Sequence, residues 1–271
     1  MTTLSFGLQN THVLVTGASG GIGIETARLF AHLGSRVTAH YNTSPRDLSD
    51  PNSSASPNIT PIQANVTSES DITRLFDEAE SKHGCPVQIL IVNHGIFETQ
   101  NVELADMTLS QWRNTHAVNL DGAFLLCREF LKRLRGQPGE VLDSVSITFI
   151  GSTAGKFGEA DHSDYATSKA ALMYGLVPTL KNEIVRIAPR GRVNAVNPGW
   201  VRTPMAEEVI KDEKFVARAL ASTPLRKVAV PGDVARQVCV VSSPVLSGHV
   251  TGVNVMVDGG MEGRCLYPPP A

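Results

Sequence analysis

Short apolar runs rich in β-branched residues recur along this chain with helical stretches between them, and that alternation constrains the fold more than any other feature. His12 to Thr16 reads HVLVT and feeds a glycine-rich turn, after which Ile22, Thr26, Ala27, Leu29 and Phe30 repeat at helical spacing. A second run covers Arg36 to His40, and the stretch from Asn42 to Pro61, dominated by Ser, Pro, Asn and Asp, predicts a loop. A third run is centred on Ile62. Beyond it Ser68 and Asp71 have capping-box spacing, and Ile72, Leu75, Phe76 and Ala79 form one apolar helix face. Gln88 to Val92, Val145 to Ile150 and Arg192 to Val196 are short, apolar and bounded by Gly, Asn or Pro, as strands buried on both faces are. The alternation predicts an α/β, doubly wound parallel sheet of Rossmann type, whose ligands bind beyond the carboxyl ends of the strands.

With 271 residues and 42% hydrophobic content, residues 1–271 are expected to build one large core and hence a single domain. A net charge of −2 supplies no broad positive field for nucleic acid or anionic membranes. No stretch approaches the roughly 18 consecutive apolar residues of a membrane span. The opening MTTLSFGLQN has neither a basic nor an apolar leader region, so export is not expected. Cys85, Cys127, Cys239 and Cys265 lack C-x-x-C or metal-ligand spacing and read as reduced structural thiols, with no metal site and a cytoplasmic setting by default.

Thr16 to Gly23 (TGASGGIG) stands directly after a strand and opens a helix. Glycine belongs here because the chain must turn tightly and bring backbone N–H groups to a pyrophosphate at the positive end of the helix. This T-G-x-x-x-G-I-G string resembles the cofactor turn of the short-chain dehydrogenases/reductases, and the likeness runs from His12 to Gly260 with further motifs in the family's order. Val92-Asn93-His94-Gly95 resembles the family's N-N-A-G strand end, with His94 as a departure. Asn119, Ser152, and the pair Tyr165 and Lys169 match the catalytic asparagine, serine and Y-x-x-x-K motif. Asn197-Pro198-Gly199-Trp200-Val201-Arg202-Thr203 resembles the segment that packs along the nicotinamide, and Thr251-Gly252 with Val257-Asp258-Gly259-Gly260 the closing strand.

The resemblance implies a nicotinamide cofactor held by Gly17, Ser19, Gly21, Ile22 and Gly23 at its phosphates. It also implies Asn65 and Val66 at the adenine, Asn93 and Gly95 on the central strand, Tyr165 and Lys169 at the ribose, and Pro198, Gly199, Val201 and Thr203 along the nicotinamide. Read from the residues alone, Tyr165 and Lys169 are four apart, which on a helix puts both side chains on one face. A free tyrosine has a pKa near 10, and a neighbouring ammonium with nicotinamide charge is expected to lower it so that the phenol serves as general acid or base. Ser152 would hold the substrate oxygen, and Asn119, by resemblance, a water that relays protons to Lys169. The substrate is expected to be a small carbonyl or alcohol, with His162, Trp200 and Met205 at the pocket rim. A nucleotide-sensing binding protein, or a non-redox catalyst such as an isomerase or cyclase, remains open on the same fold.

An NAD site usually places an acid at the end of the second strand to hold the ribose 2′-hydroxyl. Here that position is Tyr41, no acid occurs before Asp47, and Asn42, Thr43, Ser44 and Arg46 can donate to a 2′-phosphate, so NADPH/NADP+ is expected over NADH. The helix-prone insertion at about 200–226 reads as a lid, with Met205, Val209, Ile210 and Phe215 facing substrate. A homo-oligomer, tetramer or dimer, is implied by the family, through the helices of Asn119 and Tyr165, whose apolar residues Phe124, Leu125, Leu172, Met173 and Leu176 are also compatible with simple packing on the sheet.

Overall fold

The computed structural model describes residues 5–45, 58–211 and 213–264, except the side chains of Glu208, Val209, Phe215 and Arg218. Seven parallel strands form one sheet in the order β3-β2-β1-β4-β5-β6-β7. They are β1 (His12–Val15), β2 (Arg36–Tyr41), β3 (Ile59–Gln63), β4 (Ile89–Val92), β5 (Ser146–Ile150), β6 (Arg192–Pro198) and β7 (Asn254–Val257). The chain winds outward from β1 to β3, returns to β4 on the other side of β1, and then winds outward to β7. That reversal opens a crevice past the carboxyl ends of β1 and β4, where a doubly wound sheet binds its ligand.

Two apolar layers sandwich the sheet, which is why the central strands read as unbroken apolar runs. On one face Phe76, Phe130, Leu126 and Met173 pack on Leu14, Leu90 and Phe149. On the other, Phe30, Val234 and Val238 pack on Val13, Val15 and Ile91. Each such fully buried side chain contributes about 1.5–3 kcal/mol. The second layer comes from α1 (Gly21–His32) and α11 (Pro231–Ser242), and the first from α2 (Glu69–His83), α4 (Gly122–Leu134) and α8 (Val177–Ile184).

Helix α2 starts as its sequence predicts. Ser68 Oγ accepts from Asp71 N–H, and Ile72, Leu75, Phe76 and Ala79 are the four buried residues. Asp71 departs from the box by accepting instead from Asn65 N–H at 2.8 Å. The loop expected as far as Pro61 ends earlier, because Ile59, Thr60 and Pro61 pair with β2. Pro61 is tolerated there because β3 is an edge strand and its missing N–H breaks no inner ladder.

Two helical rods carry the catalytic motifs. One runs from α3 (Leu109–His116) through a π turn (Ala117–Asp121) into α4; the other runs from α7 (Ser163–Ala170) through a π turn (Ala171–Leu176) into α8. The five apolar residues of these rods, compatible in the sequence with a contact between copies or with packing on the sheet, divide between the two. Leu125, Leu172 and Met173 are buried in the subunit's own core and Leu176 packs partly against it, whereas Phe124 is 48% exposed and Tyr174, unforeseen, 53%. Short helices α5 (Gly139–Leu142) and α6 (Thr153–Phe157) flank β5, and α9 (Glu207–Ile210) and α10 (Glu213–Ala221) make up most of the 200–226 insertion. Among the described residues no helix is long and apolar enough to cross a membrane.

Candidate active site

The glycine turn between β1 and α1 is shaped from below. Gly17 has a φ of +62°, and a Cβ there would lie 2.8 Å from the His94 Cα. A Cβ on Gly23 would collide with the Gly17 carbonyl oxygen. Asn93 at the end of β4 pins the turn by donating from Nδ2 to the carbonyls of Thr16 (2.8 Å) and Gly17 (3.0 Å). Helix α1 has Gly20 at its N-cap, with no side-chain cap and no acid in its first turn, and Ile24 N–H donates back to the Gly20 carbonyl. The preceding N–H groups of the helix are therefore left for an anion, and the glycines leave the space it needs, so the turn fits a dinucleotide pyrophosphate.

Two buried histidines complete this floor. The Ala64 carbonyl lies 2.9 Å from His40 Nε2 and can only accept, so Nε2 carries the proton and Nδ1 accepts from Gly17 N–H at 3.1 Å. His94 is fixed likewise: Nε2–H donates to the Val118 carbonyl at 3.0 Å, and Nδ1 accepts from Thr16 Oγ1 at 2.9 Å. Burial pushes the His94 pKa down to about 3 and lowers that of His40, so both are neutral structural donors and acceptors. His94, the departure from the family pattern, thus ties the turn to the π turn carrying Asn119.

Ser152 caps α6 by accepting from Ala154 N–H at 3.1 Å and also hydrogen-bonds Tyr165. Tyr165 and Lys169 lie on one face of α7, with the Lys169 Nζ 5.7 Å from the phenol ring centre. The ammonium is buried and donates to the Ile150 carbonyl at 2.9 Å; burial lowers its pKa to about 8. The Tyr165 pKa is raised, first by burial, with the Glu159 charge adding and the Ser152 hydrogen bond opposing. The expected lowering is therefore not met in the protein alone, because burial of the phenol outweighs what favours its ionisation. Asn119 is also more committed than expected. Its Oδ1 accepts from Ile96 N–H at 2.8 Å, and its Nδ2 donates to the Ile96 carbonyl and to Ser168 Oγ. The side chain fixes the loop after β4 with both Nδ2 hydrogens and one Oδ1 lone pair, which leaves the second Oδ1 lone pair for a further donor.

One cleft brings together Gly17, Ser19, Gly21, Ile22, Gly23, Asn42, Thr43, Asn65, Val66, Asn93, Gly95, Ser152, Tyr165, Lys169, Pro198, Gly199, Trp200, Val201, Thr203 and Met205. Five expected contributors stand apart from it: Tyr41, Ser44, Asn119, His162 and Ile210 are not among its lining residues. Tyr41 packs into the core below the strand end, and Ser44 lies beyond the lining. His162 is buried behind Phe97, with ring centres 4.4 Å apart and Nε2 3.2 Å from Asn101 Oδ1, so it does not face substrate. Arg46, Asp47, Cys265 and the side chains of Val209 and Phe215 lie outside the described residues. The lining also includes His94 from the strand-end motif, together with His40, Ile96, Phe97 and Glu159, which no sequence motif singled out. A buried polar residue at a strand end was the available signal for His40; nothing in the sequence marked Glu159.

The sequence matches the family model described as enoyl-(acyl carrier protein) reductase over residues 17–262. It is 33% identical over 250 residues to an uncharacterized short-chain type dehydrogenase/reductase of Sinorhizobium fredii; the match takes in 92% of this chain but only 43% of that longer protein. It is 32% identical to the 3-oxoacyl-(acyl-carrier-protein) reductase FabG of Thermotoga maritima, covering 94% of this chain and 98% of the relative. The fold superposes on a crystal structure described as a short-chain dehydrogenase/reductase, glucose/ribitol dehydrogenase, from Brucella melitensis. The TM-score is 0.82 at 30% identity, over 95% of this chain and 98% of the other.

Proposed function

This chain belongs to the short-chain dehydrogenase/reductase family of oxidoreductases acting on CH–OH and C=O groups with nicotinamide cofactors, and from that premise we propose that it is an NADPH-dependent carbonyl reductase. The observation that carries the proposal is the meeting of Ser152, Tyr165 and Lys169 in the same cleft as the uncapped glycine turn. Bound nicotinamide would supply the hydride. Ser152 holds the carbonyl oxygen beside Tyr165, and Tyr165 gives its proton to that oxygen as negative charge develops there. Lys169 supplies the positive charge that favours the phenolate left behind, and Asn119 keeps the loop after β4 in place around it. Run backward, Tyr165 is the base for oxidation of a secondary alcohol.

The NADP preference rests on the lining of the cleft. Asn42 and Thr43 stand at the end of β2, and the one carboxylate among the described lining residues, Glu159, lies at the catalytic end beside Tyr165. A 2′-phosphate thus meets donors rather than a repelling acid. We also read residues 200–226 as a substrate lid, the exposed Phe124 and Tyr174 as part of a homo-oligomer contact, and the cytoplasm as the setting in which Cys85, Cys127 and Cys239 are free. The test is nicotinamide absorbance with NADPH and a panel of small ketones: turnover is expected. Cofactor binding without turnover of any ketone or alcohol would favour a non-redox or sensing role.

A further inference from the structure

Glu159 is a carboxylate without a partner. It lines the catalytic end of the cleft, half-buried, and among the described residues no donor or cation lies within hydrogen-bond or ion-pair distance of its side chain. The positive groups nearby are otherwise engaged. Lys169, the one cation among the described lining residues, is committed to Ile150, and Lys156 sits over the Phe157 ring with its Nζ 4.8 Å from the centre. His162 could have supplied a third, but burial lowers its pKa. Burial and the neighbouring Asp161 both raise the pKa of Glu159, the mark of a carboxylate short of compensating charge.

The same cleft carries aromatic side chains. The Phe97 ring meets Tyr165 edge-on at 5.0 Å, and Trp200 lines the same cleft. Aromatic faces and a carboxylate attract the same kind of group, a cation with an apolar skin. Resting on the carbonyl-reductase reading, we infer that Glu159 selects the substrate: the chain acts on a ketone or alcohol carrying a basic or quaternary nitrogen, which Glu159 and the faces of Phe97 and Trp200 hold. Such a cation also offsets the charge that opposes ionisation of Tyr165, so it aids the chemical step as well as binding.

The test is a series of methyl ketones on one short spacer ending in trimethylammonium, tert-butyl, hydroxyl or carboxylate, assayed with NADPH. The first two are nearly isosteric, so their ratio isolates charge. The expected result is a kcat/KM for the ammonium ketone about tenfold or more above the tert-butyl ketone, arising in both kcat and KM, with the carboxylate poorest. Glu159→Gln should bring that ratio towards one. Equal or better turnover of the tert-butyl or hydroxyl ketone by the wild-type protein overturns the inference while leaving the reductase reading intact. So does an ammonium preference that survives Glu159→Gln. If no ketone is reduced, the reductase reading fails by itself, and titration calorimetry of the ammonium ketone decides this one: binding weakened by Glu159→Gln supports it, and unchanged or absent binding overturns it.

Discussion

Asn42 and Thr43 are the side chains that reach the cleft at the end of β2, while Tyr41, one residue earlier, turns into the core. The charge that decides between the two nicotinamide cofactors therefore belongs at residue 42. Asn42→Asp is expected to lower kcat/KM with NADPH relative to NADH by about tenfold or more, since a carboxylate there repels the 2′-phosphate and can accept from a 2′-hydroxyl. Parallel assays with both cofactors check this, and a wild-type protein faster with NADH would refute the preference. Lys169 carries a second consequence. Its pKa is lowered from 10.5 to about 8, so between those values the folded protein has lost the proton and the unfolded chain still holds it. Stability linked to this group then rises with pH over that window, whereas activity that needs the ammonium falls. The expected profile is a decline of kcat/KM above about pH 8, opposite in sign to the change in denaturant midpoint; a flat rate profile through that range would remove the ammonium from the mechanism.

Among the elements, the 200–226 insertion is tethered at both ends. A bridge pairs Val201 with Ala229, Arg202 N–H donates to the Ala229 carbonyl at 2.9 Å, and Leu225 N–H donates to Gly259 at 3.1 Å. Met205 between these tethers lines the cleft and is 48% exposed. Met205→Ala should shift relative kcat/KM across a ketone panel several-fold while the Kd for NADPH stays within about twofold; the reverse pattern would make the insertion a structural excursion. Six strands, the glycine turn and the Tyr165 and Lys169 pair were legible in the sequence, because buried parallel strands and one-face helical spacing leave periodic marks. The tightness of β3 was not, since Pro61 and its polar neighbours look like loop until β2 supplies the partner strand. Nor was the floor made by His40 and His94, whose roles depend on carbonyls of Ala64 and Val118 brought close only by folding. Fixed tautomers, a raised Tyr165 and an unpartnered Glu159 are properties of the enclosed site, and no spacing along the chain encodes them.

At the scale of the whole molecule, the helical rods that place Asn119 and Tyr165 inside also leave Phe124 and Tyr174 outside, with Leu104 and Leu109 64% and 60% exposed near the start of the first rod. We read these exposed apolar side chains as candidates for a contact between copies of the chain. Light scattering at micromolar concentration is expected to give a dimer or tetramer mass, and Phe124→Glu with Tyr174→Glu to lower it; a monomer mass for the wild-type protein would contradict the assembly. The central claim is that this one domain positions a phenol to exchange a proton with the substrate oxygen while nicotinamide exchanges hydride. Its most direct test is the rate of NADPH oxidation on the best ketone by the wild-type protein and by Tyr165→Phe, with the NADPH Kd of each. The account predicts a loss of about 10²–10⁴ in kcat with the Kd changed by no more than a few-fold; a Tyr165→Phe protein that keeps near-normal kcat would contradict it.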